Sequence, residues 1–406
     1  MKLFIAAAFC FAGLSLAQPV HEDAVVAETK LRPLCHVWEM DRFSPATAFA
    51  LVAVAASLLL LTSAARRRNQ RVLPGPPRLL LGGEHKHQLV YQPDSLPGAR
   101  DVDTPYGCVR VYEFGPDDGP KVLLVHGITT PCLPLAPLAH ALVHRGCRVM
   151  LFDLFGRGFS DGVGDLPHDA RLYVSQMLCV LASSPLPWTG QGAFRLIGYS
   201  MGGAIAIHFA IAFPHLVGSL VLLAPAGLIR FDAYTSVARR LALAGAVPEF
   251  LLAAYAAFRL RTPLSTRASA SRPAVAVAAA EAEVSSLGST RVPLEDSISD
   301  YVRWMIGHHP GFVPAFLSCM RDAPLNEQHE AWRRLATRPP RSTAVLLAED
   351  DELISPAIYA REGLPLAGGP DRVVWKVLPG THDFIMTHVG PILDELDSLW
   401  QMKKPA

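Results

Sequence analysis

Residues 194–213 read FRLIGYSMGGAIAIHFAIAF, and no other stretch constrains the fold of this chain so tightly. FRLIGY is an apolar run of strand length without alternation, as expected of a strand covered on both faces. AIAIHFAIAF is apolar enough for a helix packed against a sheet. Between them stands Gly198-Tyr199-Ser200-Met201-Gly202, a G-x-S-x-G, followed by Gly203. A strand that turns at once into a helix holds its central residue in a strained backbone, and side chains at 198 and 202 would collide with neighbouring elements. Ser200 Oγ is then exposed at a helix N-terminus, where the dipole favours developing negative charge.

The same rhythm runs through much of the chain. Strand candidates are Cys108–Phe114, Lys121–His126, Cys147–Phe152, Phe194–Tyr199, Ser219–Ala224, Thr343–Ala348 and Val373–Leu378. The central ones (VLLV, RVMLF, RLIGY, LVLLA, AVLLA) do not alternate, which suits parallel strands buried on both faces. Helical stretches such as Leu135–Arg145, Ala204–Phe213 and Ile392–Trp400 fall between strands, so the expected class is α/β with a mostly parallel sheet flanked by helices. The interval 228–338 breaks the pattern. It is Ala-rich and cut by prolines at 248, 263, 273, 293, 310, 314 and 324, and it is expected to be a helical cap inserted between core segments 106–227 and 339–406. Residues 66–105, rich in Pro, Gly and Arg, are expected to be a linker.

A serine hydroxyl is a weak nucleophile until a base takes its proton, and that base needs a carboxylate to orient it. The run TAVLLAEDDELISP offers Glu349, Asp350, Asp351 and Glu352 directly after a strand. VVWKVLPGTHDF then offers His382, again just past a strand; His388 sits six residues further on, inside the next expected helix. An oxyanion needs two backbone N–H donors. Met201, next after the serine, supplies one. KVLLVHGITTP supplies the other: Gly127 lets the loop turn sharply and leaves the Ile128 N–H as donor, ahead of Thr129. His126 is read as a structural loop histidine.

Taken together, VLLVHG, Asp153-Leu-Phe-Gly-Arg-Gly-Phe-Ser160, Gly198-Tyr-Ser-Met-Gly-Gly203 and Gly380-Thr-His-Asp-Phe384 resemble the α/β-hydrolase fold family, over about residues 100–400. The resemblance implies Ser200 as nucleophile and His382 as base. The family's acid sits in G-x-x-D-x-[ILV]-x-P; here Ala348 replaces the glycine, and matching Ile354 and Pro356 places the acid at Asp351, with Asp350 the alternative. The family uses the D-x-x-G-R-G-x-S segment structurally, so Asp153 and Arg157 are not expected to be catalytic. A serine at the elbow sets the chain apart from relatives that open epoxides or haloalkanes with an aspartate, and the HGGG loop of hormone-sensitive-lipase relatives is missing. The implied chemistry is acyl transfer through an acyl-enzyme, with no metal or organic cofactor.

Residues 46–65 (ATAFALVAVAASLLLLTSAA) carry no charge and end at Arg66, Arg67 and Arg68. Twenty residues at about 1.5 Å rise span about 30 Å, the thickness of a bilayer's hydrocarbon core. A single transmembrane helix is expected there. Residues 1–17 resemble a secretory signal peptide, and 18–45 would form a short luminal segment. The arginine cluster then places the catalytic part in the cytosol, at the endoplasmic reticulum or another endomembrane. No N-x-S/T sequon and no cysteine pairing pattern speak against this.

With 37 Lys+Arg against 36 Asp+Glu, the chain has no basic excess for nucleic acid, and none is expected as partner. The cap includes FLLAAYAAF and a second aromatic group (Trp304, Phe312, Phe316, Trp332). A membrane-tethered enzyme with an apolar cap looks like membrane-anchored monoacylglycerol lipases, which implies a lipophilic ester as substrate and membrane lipid as partner. Alternatives are a small-ester or thioester hydrolase, an acyltransferase, and a non-catalytic binding protein on the same fold.

Overall fold

The five non-alternating apolar runs hydrogen-bond side by side as the middle of one sheet. The computed structural model describes residues 52, 54–57, 71–76, 90–190, 192–229, 247–261 and 294–402. In chain order these form β1 (Val72–Leu73), β2 (Ala99–Thr104), β3 (Gly107–Phe114), β4 (Lys121–Val125), α1 (Ala136–His144), β5 (Arg148–Phe152), β6 (Gly162–Val163), α2 (Ala170–Ala182), β7 (Phe194–Tyr199), α3 (Met201–Ala212) and β8 (Val217–Leu223). Then follow α4 (Glu249–Arg259), α5 (Leu294–His308), α6 (Phe312–Asp322), α7 (His329–Leu335), β9 (Thr343–Ala348), α8 (Pro356–Leu366), β10 (Val373–Leu378), α9 (Phe384–Thr387) and α10 (Val389–Trp400).

The main sheet has the order β10-β9-β8-β7-β4-β5-β3-β2. Strands β10 through β5 pair in parallel, whereas β3 and β2 add antiparallel at one edge. The five apolar strands β9, β8, β7, β4 and β5 are contiguous, and they are buried apart from one or two positions near the N-terminal ends of β4, β5, β7 and β8. Burial on both faces requires helices on both sides, and the sequence between strands provides them.

From β4 the chain moves to β5 on one side and later returns to β7 on the other. Strand order therefore reverses at β4, and the crevice beyond the carboxyl ends of β4 and β7 is where a parallel sheet of this kind binds ligands. The loops after those two strands carry Ile128 and Ser200.

Two findings extend the sequence reading. β1 and β2 fall within residues 66–105, expected as linker. ARDVDT alternates exposed and half-buried residues, so as an edge strand it carries the polar composition of a loop. Between β8 and β9 the described residues contain four helices, α4 to α7, as a helical insertion requires. Of the aromatic group read as one patch there, Phe312 and Trp332 are fully buried, Trp332 against Tyr359 and Trp375, while Trp304 stacks on His308. Among the described residues of the insertion, the exposed large apolar side chains are instead Phe250, Leu251, Tyr255 and Phe258, all on α4.

Residues 1–51 and most of the expected span lie outside the described residues. Residues 52 and 54–57 are helical with exposed side chains, and no helix among the described residues is long and apolar enough to cross a membrane. Much of 228–338 (230–246 and 262–293) also lies outside them.

Arg145, just past α1, grips Asp397 on α10 through Nε and one terminal nitrogen at 2.8 and 3.1 Å, with both side chains nearly buried. Asp397→Ala leaves a guanidinium unpaired in a dry site and should cost about 3–5 kcal/mol in urea unfolding. Lys376 pairs with Glu395 at 3.2 Å but is half exposed, and Lys376→Ala should cost less than about 1 kcal/mol. Equal losses would contradict this assignment.

Candidate active site

Ser200 is the residue between β7 and α3, with φ +54° and ψ −121°. The left-handed region is costly for a side chain bearing a Cβ, and surrounding contacts hold Ser200 there. Its N–H donates to the Leu223 carbonyl at 2.9 Å, and its carbonyl accepts from Gly203 and Ala226, each at 2.9 Å. The glycines around it have the predicted steric reason. A Cβ on Gly198 would lie 2.4 Å from the Gly202 carbonyl oxygen, and one on Gly202 would lie 2.3 Å from that of Val125. The helix N-terminus thus rests directly on the end of β4.

His382 lies on the loop after β10, and Asp351 on the loop after β9. Backbone bonds from Glu349 N to Leu378 O (2.8 Å) and from Asp350 N to Gly380 O (2.9 Å) join the two loops. His382 Nδ1 is 2.7 Å from Asp351 Oδ2, and Nε2 is 3.1 Å from Ser200 Oγ. Asp351 Oδ1 accepts the Leu353 and Ile354 N–H groups at 2.8 and 2.7 Å, so both carboxylate oxygens are engaged. With Nδ1 donating to the carboxylate, Nε2 is left free to accept the serine proton. Tyr199 adds support: its hydroxyl donates to the His382 carbonyl at 3.1 Å and its ring packs on the imidazole.

The structure brings Ser200, His382 and Asp351 together. Asp350 is exposed and makes no contact with His382 among those described. His388 bonds the Thr387 hydroxyl instead, at 2.9 Å.

Ile128 lies beside the elbow, since a Cβ on Gly127 would sit 3.4 Å from Ser200 Cβ. Among the described residues, neither the Ile128 nor the Met201 N–H has a hydrogen-bond partner. His126 explains the orientation of the first. Its Nε2 accepts the Leu154 N–H at 2.8 Å, so Nδ1 carries the proton and donates to the Gly127 carbonyl at 2.9 Å. In a trans peptide the carbonyl and the next N–H point opposite ways, so a Gly127 carbonyl held inward aims the Ile128 N–H outward. Burial, reinforced by the Arg157 charge, holds His126 down to about 3, so it stays neutral. The sequence marks it as a loop histidine; its tautomer needs Leu154, 28 residues away.

Burial by itself would lower the basicity of His382, but the Asp351 hydrogen bond and charge, helped by Asp383 and Glu352, outweigh it and raise the imidazole above its ordinary 6.5. Among the described residues no cluster of His, Cys, Asp or Glu could hold a metal.

The family described as serine aminopeptidase, S33, matches residues 118–308, a stretch that includes Ile128 and Ser200 and stops before Asp351 and His382. The chain is 35% identical over 120 residues to Lipase LipV of Mycobacterium tuberculosis, covering 29% of this chain and 42% of that one. It is 36% identical over 115 residues to protein phosphatase methylesterase 1 of Mus musculus, 28% of each. The chain thus spans less than half the length of these curated relatives. Among solved structures, a membrane phospholipase A described as a bacterial virulence factor superposes with a TM-score of 0.54 at 16% identity, over 87% of this chain and 96% of that one. Such a likeness reports the fold. Sheet order and elbow agree with it, and the chain is an α/β-hydrolase-fold protein.

An imidazolium cannot accept the serine proton, so kcat/KM should fall as pH drops through the raised value of His382, half-maximal above 6.5. Asp351→Asn removes the contacts that raise it, so the limb should move to lower pH while kcat falls about 10³-fold or more. Asp350→Asn should stay within about threefold of wild type, as befits an exposed side chain. The opposite ranking in a pH–rate series would reassign the acid.

Proposed function

From an α/β-hydrolase fold that assembles Ser200, His382 and Asp351, we propose that the chain is a serine hydrolase of carboxylic esters acting through an acyl-enzyme. The observation that carries this reading is the unbroken relay from Asp351 Oδ2 to His382 to Ser200 Oγ, at 2.7 and 3.1 Å. Ser200 Oγ attacks the ester carbonyl carbon while its proton passes to His382 Nε2. The carbonyl oxygen becomes an oxyanion that the Met201 and Ile128 N–H groups receive. Collapse breaks the ester C–O bond, and the imidazolium returns the proton to the departing alkoxide. Water then attacks the acyl-serine with His382 as base, releasing the acid and restoring Ser200. No step requires a metal or organic cofactor.

The substrate class is a lipophilic ester of monoacylglycerol type. Support comes from the exposed apolar side chains of α4, Phe250, Leu251, Tyr255 and Phe258, within the inserted helices. The similarity to Lipase LipV is consistent with it. Residues 46–65 act as a single membrane anchor: they are uncharged and followed by Arg66, Arg67 and Arg68, which places the catalytic domain on the cytosolic side of an endomembrane, with membrane lipid as partner.

A panel of p-nitrophenyl esters from two to sixteen carbons, with a monoacylglycerol and an aminoacyl anilide, tests both levels. Turnover should rise with chain length and disappear in Ser200→Ala and His382→Ala, a loss of about 10⁴-fold or more. Short esters turned over best would favour a small-ester hydrolase, and cleavage of the anilide alone would favour a peptidase. A chain beginning at residue 66 should leave the membrane fraction at alkaline pH, while the full chain stays. Release of both would sink the anchor.

A further inference from the structure

Arg157 is wholly buried, and among the described residues it pairs with no carboxylate. A buried charge persists only where every donor finds a good acceptor. Nε donates to the Ile128 carbonyl at 2.9 Å. One terminal nitrogen donates to the Phe155 carbonyl and to Tyr173 Oη, each at 2.8 Å, and the other to Cys319 Sγ at 3.2 Å.

Proton directions along this network are determined. His168 Nε2 faces the Val163 carbonyl at 3.0 Å and must donate, so Nδ1 accepts the Tyr173 hydroxyl proton at 2.9 Å. Tyr173 Oη then accepts from Arg157 and from the Cys319 thiol, 3.1 Å away. Burial and the Arg157 charge hold His168 down to about 3, so it remains the neutral acceptor.

The two ends of this network belong to different parts of the fold. Ile128 is the oxyanion donor beside the nucleophile, and Cys319 lies on α6 of the inserted helices. α6 is seated on the loop that carries Arg157 with almost no clearance: a Cβ on Gly156 would lie 2.5 Å from Ala315 Cβ, and one on Gly162 2.7 Å from Gly311 Cα. His309 Nε2 bonds the Ser160 carbonyl at 2.9 Å, and the Ser318 hydroxyl accepts the His168 N–H at 2.9 Å.

We propose that Arg157 is a positioning residue for the oxyanion hole, holding Ile128 from behind and tying it to α6 of the cap through Cys319. His126 holds the carbonyl of the peptide that carries the Ile128 N–H, and Arg157 holds the carbonyl of the next peptide, so the donor is clamped from both sides. Seating of α6 thereby sets the rate of acyl transfer rather than the affinity for substrate. This inference rests on the Ser200–His382–Asp351 reading.

The test uses the full chain and p-nitrophenyl butyrate, with active sites counted by fluorophosphonate titration so that every kcat refers to competent sites. Phenylboronic acid, whose tetrahedral serine adduct places an oxygen in the hole, is the second readout. Arg157→Met should lower kcat about 30–100-fold with KM within about threefold, and weaken boronate inhibition in parallel. Cys319→Ala should lower kcat about 3–10-fold in the same way, and Cys319→Ser should recover most of it. If Arg157→Met does not fold, the Cys319 pair decides. Wild-type kcat and boronate affinity in folded Cys319→Ala would overturn the link to the cap. A raised KM at unchanged kcat, or a lower melting temperature alone, in Arg157→Met would overturn the positioning role. A folded wild type without titratable serine would sink the triad reading itself, and with it this one.

Discussion

The backbone at Ser200 is the constraint on which the rest of the structure depends. A non-glycine residue at φ +54° costs about 1–3 kcal/mol and persists only where its surroundings over-determine it. Here the determination is visible as hydrogen bonds from both peptide groups of Ser200 to Leu223, Gly203 and Ala226. Those bonds require β8 to lie beside β7, and the contact of Gly202 with the end of β4 requires α3 to descend there and nowhere else. Strain at one residue is offset by the packing of three strands. In return the hydroxyl stands at the end of the sheet, at a helix N-terminus, within reach of loops from β4, β9 and β10.

Much of this was legible in the sequence, because the signals are local. Seven strands fall where apolar runs and turn residues place them, and the five without alternation are the five contiguous parallel strands. Ser200 and His382 could be named from their positions just past strands, and Asp351 from the match of Ile354 and Pro356 to the acid motif of the family the chain resembles. Asp350 could not be dismissed that way, since adjacent carboxylates differ only in which one the turn buries. The structure buries Asp351 and spends its second oxygen on two backbone N–H groups, a geometry no count of residues reveals. Polar alternation in ARDVDT hid β2, because an edge strand needs neither burial nor a continuous apolar run.

What lay beyond sequence reading is the set of long-range polar contacts that steer the backbone of the oxyanion loop. His126 acquires its tautomer from Leu154, and Arg157 meets Ile128 across 29 positions and Cys319 across 162. Each residue has a bland local reading, and only their meeting gives it a task. Buried networks of this kind are satisfied in one arrangement and costly in any other, so they specify geometry more than they add stability. Three histidines illustrate the division. His126 and His168 are buried beside a cation and stay neutral, whereas His382 faces carboxylates and is made more basic.

The most direct test of the central claim is labelling of the full chain with an alkyl fluorophosphonate, followed by peptide mass mapping. An activated nucleophile should give one adduct, on Ser200, at a rate that rises as His382 loses its proton, and His382→Ala should remain unlabelled. A folded wild type that takes up no label, or one labelled elsewhere than Ser200, would contradict the claim that this elbow holds an activated serine.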